Sequence, residues 1–259
     1  MLSPSPPLTV AISGAGGALG RALLRRWHAR GARLIALRHG DQPIDLQDAA
    51  GRPIPLLQHR WQAGAEGELR ALLAEVDVLV LNHGVNVHGA RDAAAVALSL
   101  EVNALSSWRL LELFAGLAAE RTRQEPERPR AEVWVNTSEA EIQAALSPLY
   151  ELSKRLLGQL LSLRALDLAP VLRLRRLVLG PFRSELNPIG VMDPEWVAGE
   201  ILRQARWNCG LIIVTINPLT YVLMPLAALA RWGYFRAVTR RPDALAPRGE
   251  EEAESRGGG

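Results

Sequence analysis

Short apolar runs alternate with stretches of helical periodicity along most of this chain, and that alternation constrains the fold more than any other feature. Residues 8–13, 33–37, 55–58, 76–81, 131–135 and 171–179 each read as a strand bounded by Gly, Pro, Asp or Asn. Helical patterns fall between most of them, at Leu19, Leu23, Leu24 and Trp27, then over 66–73, 90–119 and 150–166. A seventh strand is expected over 211–216. Strands separated by helices of this length form βαβ units and a parallel sheet. The predicted fold is a single doubly wound α/β domain of the Rossmann type, with about seven strands and helices on both faces.

The chain divides accordingly into a Ser/Pro-rich arm (1–7), the α/β domain (8–216), an apolar helix (217–239) and a tail (240–259) rich in Pro, Glu and Gly. Arm and tail read as disordered. Residues 120–130, charged and carrying two prolines, read as a solvated loop. No charged residue occurs from Trp207 to Ala230, but Asn217-Pro218 and Pro225 interrupt that stretch. Two readings stand for the helix: a core or dimer-interface element, or one lying on a membrane surface, where Trp232, Tyr234, Phe235 and nearby arginines suit an interface. A single cysteine, Cys209, excludes an intrachain disulfide and a cysteine-based zinc site, so no metal is expected and a cytoplasmic location is natural. The net charge is +3 and the basic residues are scattered, which argues against nucleic acid as a partner.

Between the first strand and first helix lies Ser13-Gly14-Ala15-Gly16-Gly17-Ala18-Leu19-Gly20. Such a turn brings backbone N–H groups against a pyrophosphate at a helix N-terminus. Ser13, Gly14, Gly17, Ala18, Leu19 and Gly20 are therefore expected to face a dinucleotide. At the end of the second strand stands Arg38 rather than an acidic residue. A guanidinium there can clamp a 2′-phosphate, which favours NADP(H) over NAD(H).

Tyr150-Glu151-Leu152-Ser153-Lys154 puts a phenol and an ammonium on one helix face. A nearby cation favours the phenolate and lowers its pKa. Of the 30 basic residues, 29 are arginine and Lys154 is the one lysine. Arginine's planar fork does not replace an ammonium's point charge. Ser138, at the end of the fifth strand, is placed to bond the same substrate oxygen.

Together these motifs resemble the short-chain dehydrogenases/reductases over about residues 8–214. The resemblance implies that Tyr150, Lys154 and Ser138 are catalytic and that Asn103 completes the tetrad, supporting a water relay. It places Asn82 and Gly84, in Leu81-Asn82-His83-Gly84, beside the adenosine, and Gly180, Phe182 and Ser184 beside the nicotinamide carboxamide. Tyr150 and Lys154 also meet the cofactor. Gln62 stands where the family has an adenine-contacting aspartate, and His83 replaces a small residue, read as packing. Gly14, Gly17 and Gly20 have the spacing of the family's extended branch, whereas the length suits the shorter one. Glu139, Glu141, Gln143 and Glu185 fall near the mouth and read as surface charge.

More narrowly, residues 81–86, 180–190 and 215–221 resemble a bacterial subgroup labelled alongside sterol desaturases, which implies a lipophilic substrate. The expected activity is NADP(H)-dependent hydride transfer between the nicotinamide and a carbonyl or secondary alcohol of a small molecule. The family implies a homodimer or homotetramer. An NADP(H)-binding sensor with little turnover is the competing reading, and peripheral membrane contact through 217–236 stays open.

Overall fold

The computed structural model describes residues 7–239; the expected disorder of residues 1–6 and 240–259 lies outside them. Seven strands form one parallel sheet: β1 (Thr9–Ser13), β2 (Arg33–Arg38), β3 (Leu57–Arg60), β4 (Val78–Leu81), β5 (Glu132–Ser138), β6 (Arg173–Leu179) and β7 (Leu211–Val214). Their order is β3-β2-β1-β4-β5-β6-β7. The chain winds outward first one way and then the other, so a crevice opens at the carboxyl ends of β1 and β4.

The helices are α1 (Ala18–His28), the four-residue α2 (Arg70–Leu73), α3 (Ala93–Leu100), α4 (Ser106–Gln124), α5 (Pro148–Leu168), α6 (Pro194–Arg206) and α7 (Thr220–Val238). The predicted helix over 90–119 is broken by a π-helical turn, Glu101–Leu105, and runs on through Gln124 into the segment expected to be a loop. Asp92 caps α3, accepting from the Ala95 amide at 3.0 Å, and Asp193 caps α6 in the same way.

Val10, Ala11, Ile12, Leu79, Val80, Val133, Val135, Leu177 and Val178 are wholly buried, as expected for central parallel strands covered on both faces. One core lies between the sheet and the α1–α6 layer, containing Leu19, Leu23, Trp27, Trp134, Val197 and Ile201. The other lies against α4 and α5, around Leu110, Phe114, Leu157 and Leu161. Each fully buried leucine contributes about 1.5–3 kcal/mol relative to exposure.

A third, small cluster of Val178, Ile213 and Met224 fixes the start of α7. The helix continues past Pro225 and packs along α5, but of its residues only Thr220 and Met224 are buried. No helix among the described residues is long and apolar enough to cross a membrane.

Candidate active site

The glycine-rich turn occupies one side of the crevice. Gly14 has φ +62°, and a Cβ there would lie 2.8 Å from the Asn82 carbonyl and the His83 backbone. Glycine is therefore what lets the turn after β1 touch the loop after β4. Gly17 starts α1 with no side-chain cap. The amides of Ala18, Leu19 and Gly20 have no intrahelical acceptors and stand at the positive end of the helix dipole. Open space lies beside Gly16, where an added Cβ would meet nothing within 4 Å. At the end of β2 the Arg38 guanidinium bonds the Gly40 carbonyl, and its Nε is buried without a partner. Uncapped amides, open space and an unpartnered arginine nitrogen fit a dinucleotide pyrophosphate and an adenosine phosphate. Gln62 is exposed just beyond β3. Its neighbour Trp61 turns inward instead, 5.1 Å from the His83 ring and edge-on to it.

The loop after β4 is tied to both neighbours. Asn82 donates its backbone N–H to Ser13 Oγ at 3.0 Å and Nδ2 to the Gly14 carbonyl, and accepts from Asn136 Nδ2 at 2.8 Å. His83 Nδ1 is 2.7 Å from Ser13 Oγ, and Nε2 faces Ser107. Burial, helped by the charge of Lys154, lowers its pKa to about 3, so the imidazole is neutral. The histidine read as packing is thus also a polar strut. Gly84 packs against Asn103 Oδ1. Asn103 lies in the π-helical turn, wholly buried. Its side chain holds both backbone groups of Val85, at 2.8 and 2.9 Å, and donates to Ser153 Oγ at 3.0 Å. These contacts fasten the β4 loop to α5, and the side chain does not reach the open crevice.

Ser138 ends β5, and its Oγ accepts the Ala140 amide at 3.2 Å. Tyr150 and Lys154 project from the first two turns of α5. Burial pushes the Tyr150 phenol above its ordinary value, and a hydrogen bond with Ser138 works the other way. The Lys154 ammonium donates to the Asn136 carbonyl at 3.0 Å and lies 5.6 Å from the centre of the Tyr150 ring. Burial brings its pKa down to about 8. The sequence leads one to expect a phenol acidified by the lysine. The structure instead holds the ammonium on a backbone carbonyl, beside the ring, and the phenol keeps its proton at neutral pH.

Gly180 follows β6, packed where a Cβ would collide with Thr215. Phe182 bridges to Met192, and Ser184 to Asn187, so the segment after Gly180 is a small folded flap. The structure brings Ser138, Tyr150 and Lys154 together beside the turn of Ser13–Gly20, with Asn82 and Gly84 between. Asn103 and Gln62 lie behind and outside that cluster.

Two groups were missed from sequence. Asn136 anchors both Lys154 and Asn82. Glu141 was read as surface charge, yet it is 2% exposed beneath α5. Glu139 and Gln143 likewise point to the β7–α7 corner, bonding Thr215, Thr220 and Asn217. A signal for Glu141 exists in Gly158: a mid-helix glycine costs about 1 kcal/mol, so it marks a close approach.

The sheet order and the crevice are those of a doubly wound Rossmann-type fold, which the chain shares with short-chain dehydrogenases. The chain is similar over 94% of its length to a short-chain dehydrogenase from Sphingobium yanoikuyae in complex with NADPH, with TM-score 0.73, 18% identity and all of that chain covered. A short-chain dehydrogenase from Burkholderia cenocepacia in complex with NADP superposes over 90% of this chain and 98% of that one (TM-score 0.69, 17% identity). A bulky-bulky ketone specific alcohol dehydrogenase from Comamonas testosteroni does so over 92% and 99% (TM-score 0.68, 17% identity). In sequence, the chain is 45% identical over 232 residues to the monoglucosyldiacylglycerol epimerase of Synechocystis sp.. That match takes in 90% of this chain and 55% of the epimerase, so the chain spans about half of its relative's length. No protein-family model matches the chain.

Proposed function

We propose that this protein is an NADP(H)-dependent oxidoreductase of the short-chain dehydrogenase/reductase family, acting on a secondary alcohol or ketone of a lipophilic molecule. The observation that carries the reading is the meeting of Tyr150, Ser138 and Lys154 at the carboxyl edge of the sheet, beside an uncapped glycine-rich helix start. Bound NADP(H) would supply two-electron hydride chemistry. Gly14, Gly17, Ala18, Leu19 and Gly20 would hold its phosphates, Arg38 its 2′-phosphate, and Lys154 its ribose. Gly180, Phe182 and Ser184 would flank the carboxamide.

In the reductive direction Tyr150, whose phenol is protonated at neutral pH, gives its proton to the developing alkoxide. Ser138 fixes the substrate oxygen by a hydrogen bond, and the Lys154 charge stabilises the phenolate left behind. In the oxidative direction the same groups take the proton. The name of the Synechocystis relative supports a further step, inversion of one carbinol. The carbinol carbon loses hydride and its hydroxyl proton, and the ketone then regains both, with hydride added to the opposite face. Reducing equivalents balance, and a glycosylated diacylglycerol is the substrate class this favours. Contact with a membrane surface through exposed α7 residues, by a cytoplasmic homodimer or homotetramer, fits such a substrate.

The test is NADPH oxidation against ketones of increasing chain length, alongside conversion of monoglucosyldiacylglycerol. Tyr150→Phe should lose about 10²–10⁴-fold of turnover while NADPH still binds. Bound NADPH with no turnover of any member by the wild type would favour the sensor reading instead.

A further inference from the structure

The loops that leave the carboxyl ends of β5, β6 and β7 share the edge of the sheet that holds Ser138, Tyr150 and Lys154. Their large apolar side chains stand in water: Leu146 after β5, Leu186, Ile189 and Val191 after β6, Ile216 and Leu219 after β7. Leu146 is 96% exposed and Ile189 78%. A lone exposed leucine is ordinary, but six such side chains from three segments on one edge form a patch. Val222 and Leu226 of α7 continue it down one flank. Side-chain bonds hold the segments in one ring. Ser147 Oγ, beside Leu146, donates to Asn86 Oδ1 at 2.7 Å, and Asn86 Nδ2 donates to the Leu186 carbonyl. That bridge joins the loop after β4 to the flap after β6, across the end of β5. On the far side Asn217 Nδ2 donates to Gln143 Oε1 at 2.6 Å, and Gln143 Nε2 to Thr220 Oγ1 at 2.7 Å. The amino edge of the sheet has the opposite character. There Arg128 pairs with Asp77 and Arg173 with Glu132, and Trp207 lies under the Arg203 guanidinium.

We propose that this carboxyl rim is the main face by which the protein rests on a lipid bilayer, with the mouth of the crevice opening into the headgroup layer. What the rim surrounds decides its occupant. A protein partner or a second copy seated on all three segments would close the way to Ser138 and Tyr150. A lipid layer covers the same side chains and delivers substrate through the covered mouth. Leu146, Ile189 and Leu219 reach the boundary of the acyl chains, about 5–10 Å deep, while the exposed Arg183 and Glu185 lie among headgroups. The charged amino edge stays in water. Leu229 lies about 15 Å further along α7 than Leu219 and contributes less. The delivery of substrate rests on the reading above, in which the substrate is a lipid; the docking is measured without turnover.

Flotation of the full chain with vesicles of phosphatidylcholine and monoglucosyldiacylglycerol, without cofactor, reads the docking. Leu146→Ser combined with Ile189→Ser changes two side chains already in water, so the melting temperature should hold. Burying one such side chain is worth about tenfold or more in partition, so the pair should lower binding by about 10²-fold. Leu229→Ser should lower it by less. No flotation of the wild type, equal flotation of the rim pair, or a larger loss in Leu229→Ser overturns the proposal. If the pair does not fold, Ile189→Ser alone decides by the same comparison. A rim pair that turns from oligomer to monomer in size exclusion and still floats assigns the rim to a second copy, and overturns it too. The rim pair should keep its rate on a short, water-soluble ketone and show a raised KM for lipid in vesicles. An unchanged KM for vesicle lipid also counts against the docking. Flotation that depends on the rim, in a protein that turns over neither substrate, leaves the docking standing and counts against the proposed reaction.

Discussion

Helices α1 and α7 both leave the carboxyl edge of the sheet, and they are held by opposite means. In α1 one stripe, Leu19, Leu23, Leu24 and Trp27, is buried in the core, while Arg21, Arg25 and Arg26 face outward. Its position is set by apolar area removed from water. In α7 apolar residues occupy nearly every face, yet Val222, Leu226, Leu229 and Tyr234 are exposed, Leu229 to 64%. What seats it is mostly polar: Arg231 on Glu141, and Thr220 against Glu139 and Gln143. A helix held by its core is rigid by default. One held by a few directed contacts depends on each of them, and its uncovered leucines are free to meet another apolar surface.

The comparison can be broken most severely at α1. Leu23→Ala, at a position with no exposure, should cost about 2–5 kcal/mol of unfolding free energy in urea. A loss below about 1 kcal/mol would mean that this core is not what fixes the helix. At the cofactor end of the same layer, Arg38→Asp should move the NADPH-to-NADH preference by about 10–100-fold, the worth of a charge-assisted hydrogen bond to a phosphate. An unchanged ratio would remove Arg38 from the site.

Acid should act at the loop after β4, which touches the turn leading into α1. His83 binds its proton at about 3 in the folded protein against 6.5 unfolded. Between those values the unfolded chain binds more protons, so stability is lost as pH falls below 6.5. Thermal melting should therefore decline from pH 6.5 to 4, and His83→Gln should flatten that slope; an equally steep slope in the variant would exclude His83 as the cause. The smallest effect belongs to α7. Leu229→Ser should change unfolding free energy by less than about 0.5 kcal/mol, because the side chain is already in water. The same change should lower the protein's flotation with diacylglycerol-containing liposomes. Unchanged flotation would remove the membrane reading of this surface.

Much of the architecture was legible because it is locally encoded. Strand β4 is a continuous apolar run, α1 shows its stripe, and a strand followed by a glycine-rich turn and a helix reads directly as a dinucleotide fingerprint. The i,i+4 spacing of Tyr150 and Lys154 put both on one helix face before any tertiary contact was known. Boundaries were less legible. β6 starts at Arg173 rather than Val171, and α4 absorbs part of an expected loop, since pairing and packing override local propensity at element ends. Gln62 was placed by its position after β3, but the side chain that turns into the site region is Trp61. Asn103 was expected to support a water relay; what the sequence did not show is that its side chain bonds Val85 and Ser153.

By itself the sequence determined the parallel sheet, the crevice end where chemistry could occur, and the phenol–ammonium pair, because periodicity and short spacings carry that information. Only the tertiary structure decided the electrostatics of the pair. It put Lys154 on the Asn136 carbonyl, set the half-buried Tyr150 beside Ser138, and buried Glu141 against Gly158 and an arginine 90 residues further along the chain. Burial and charge proximity are properties of three-dimensional neighbours, and two of them, Arg231 and Arg176, turned an apparent surface acid into a buried, paired one.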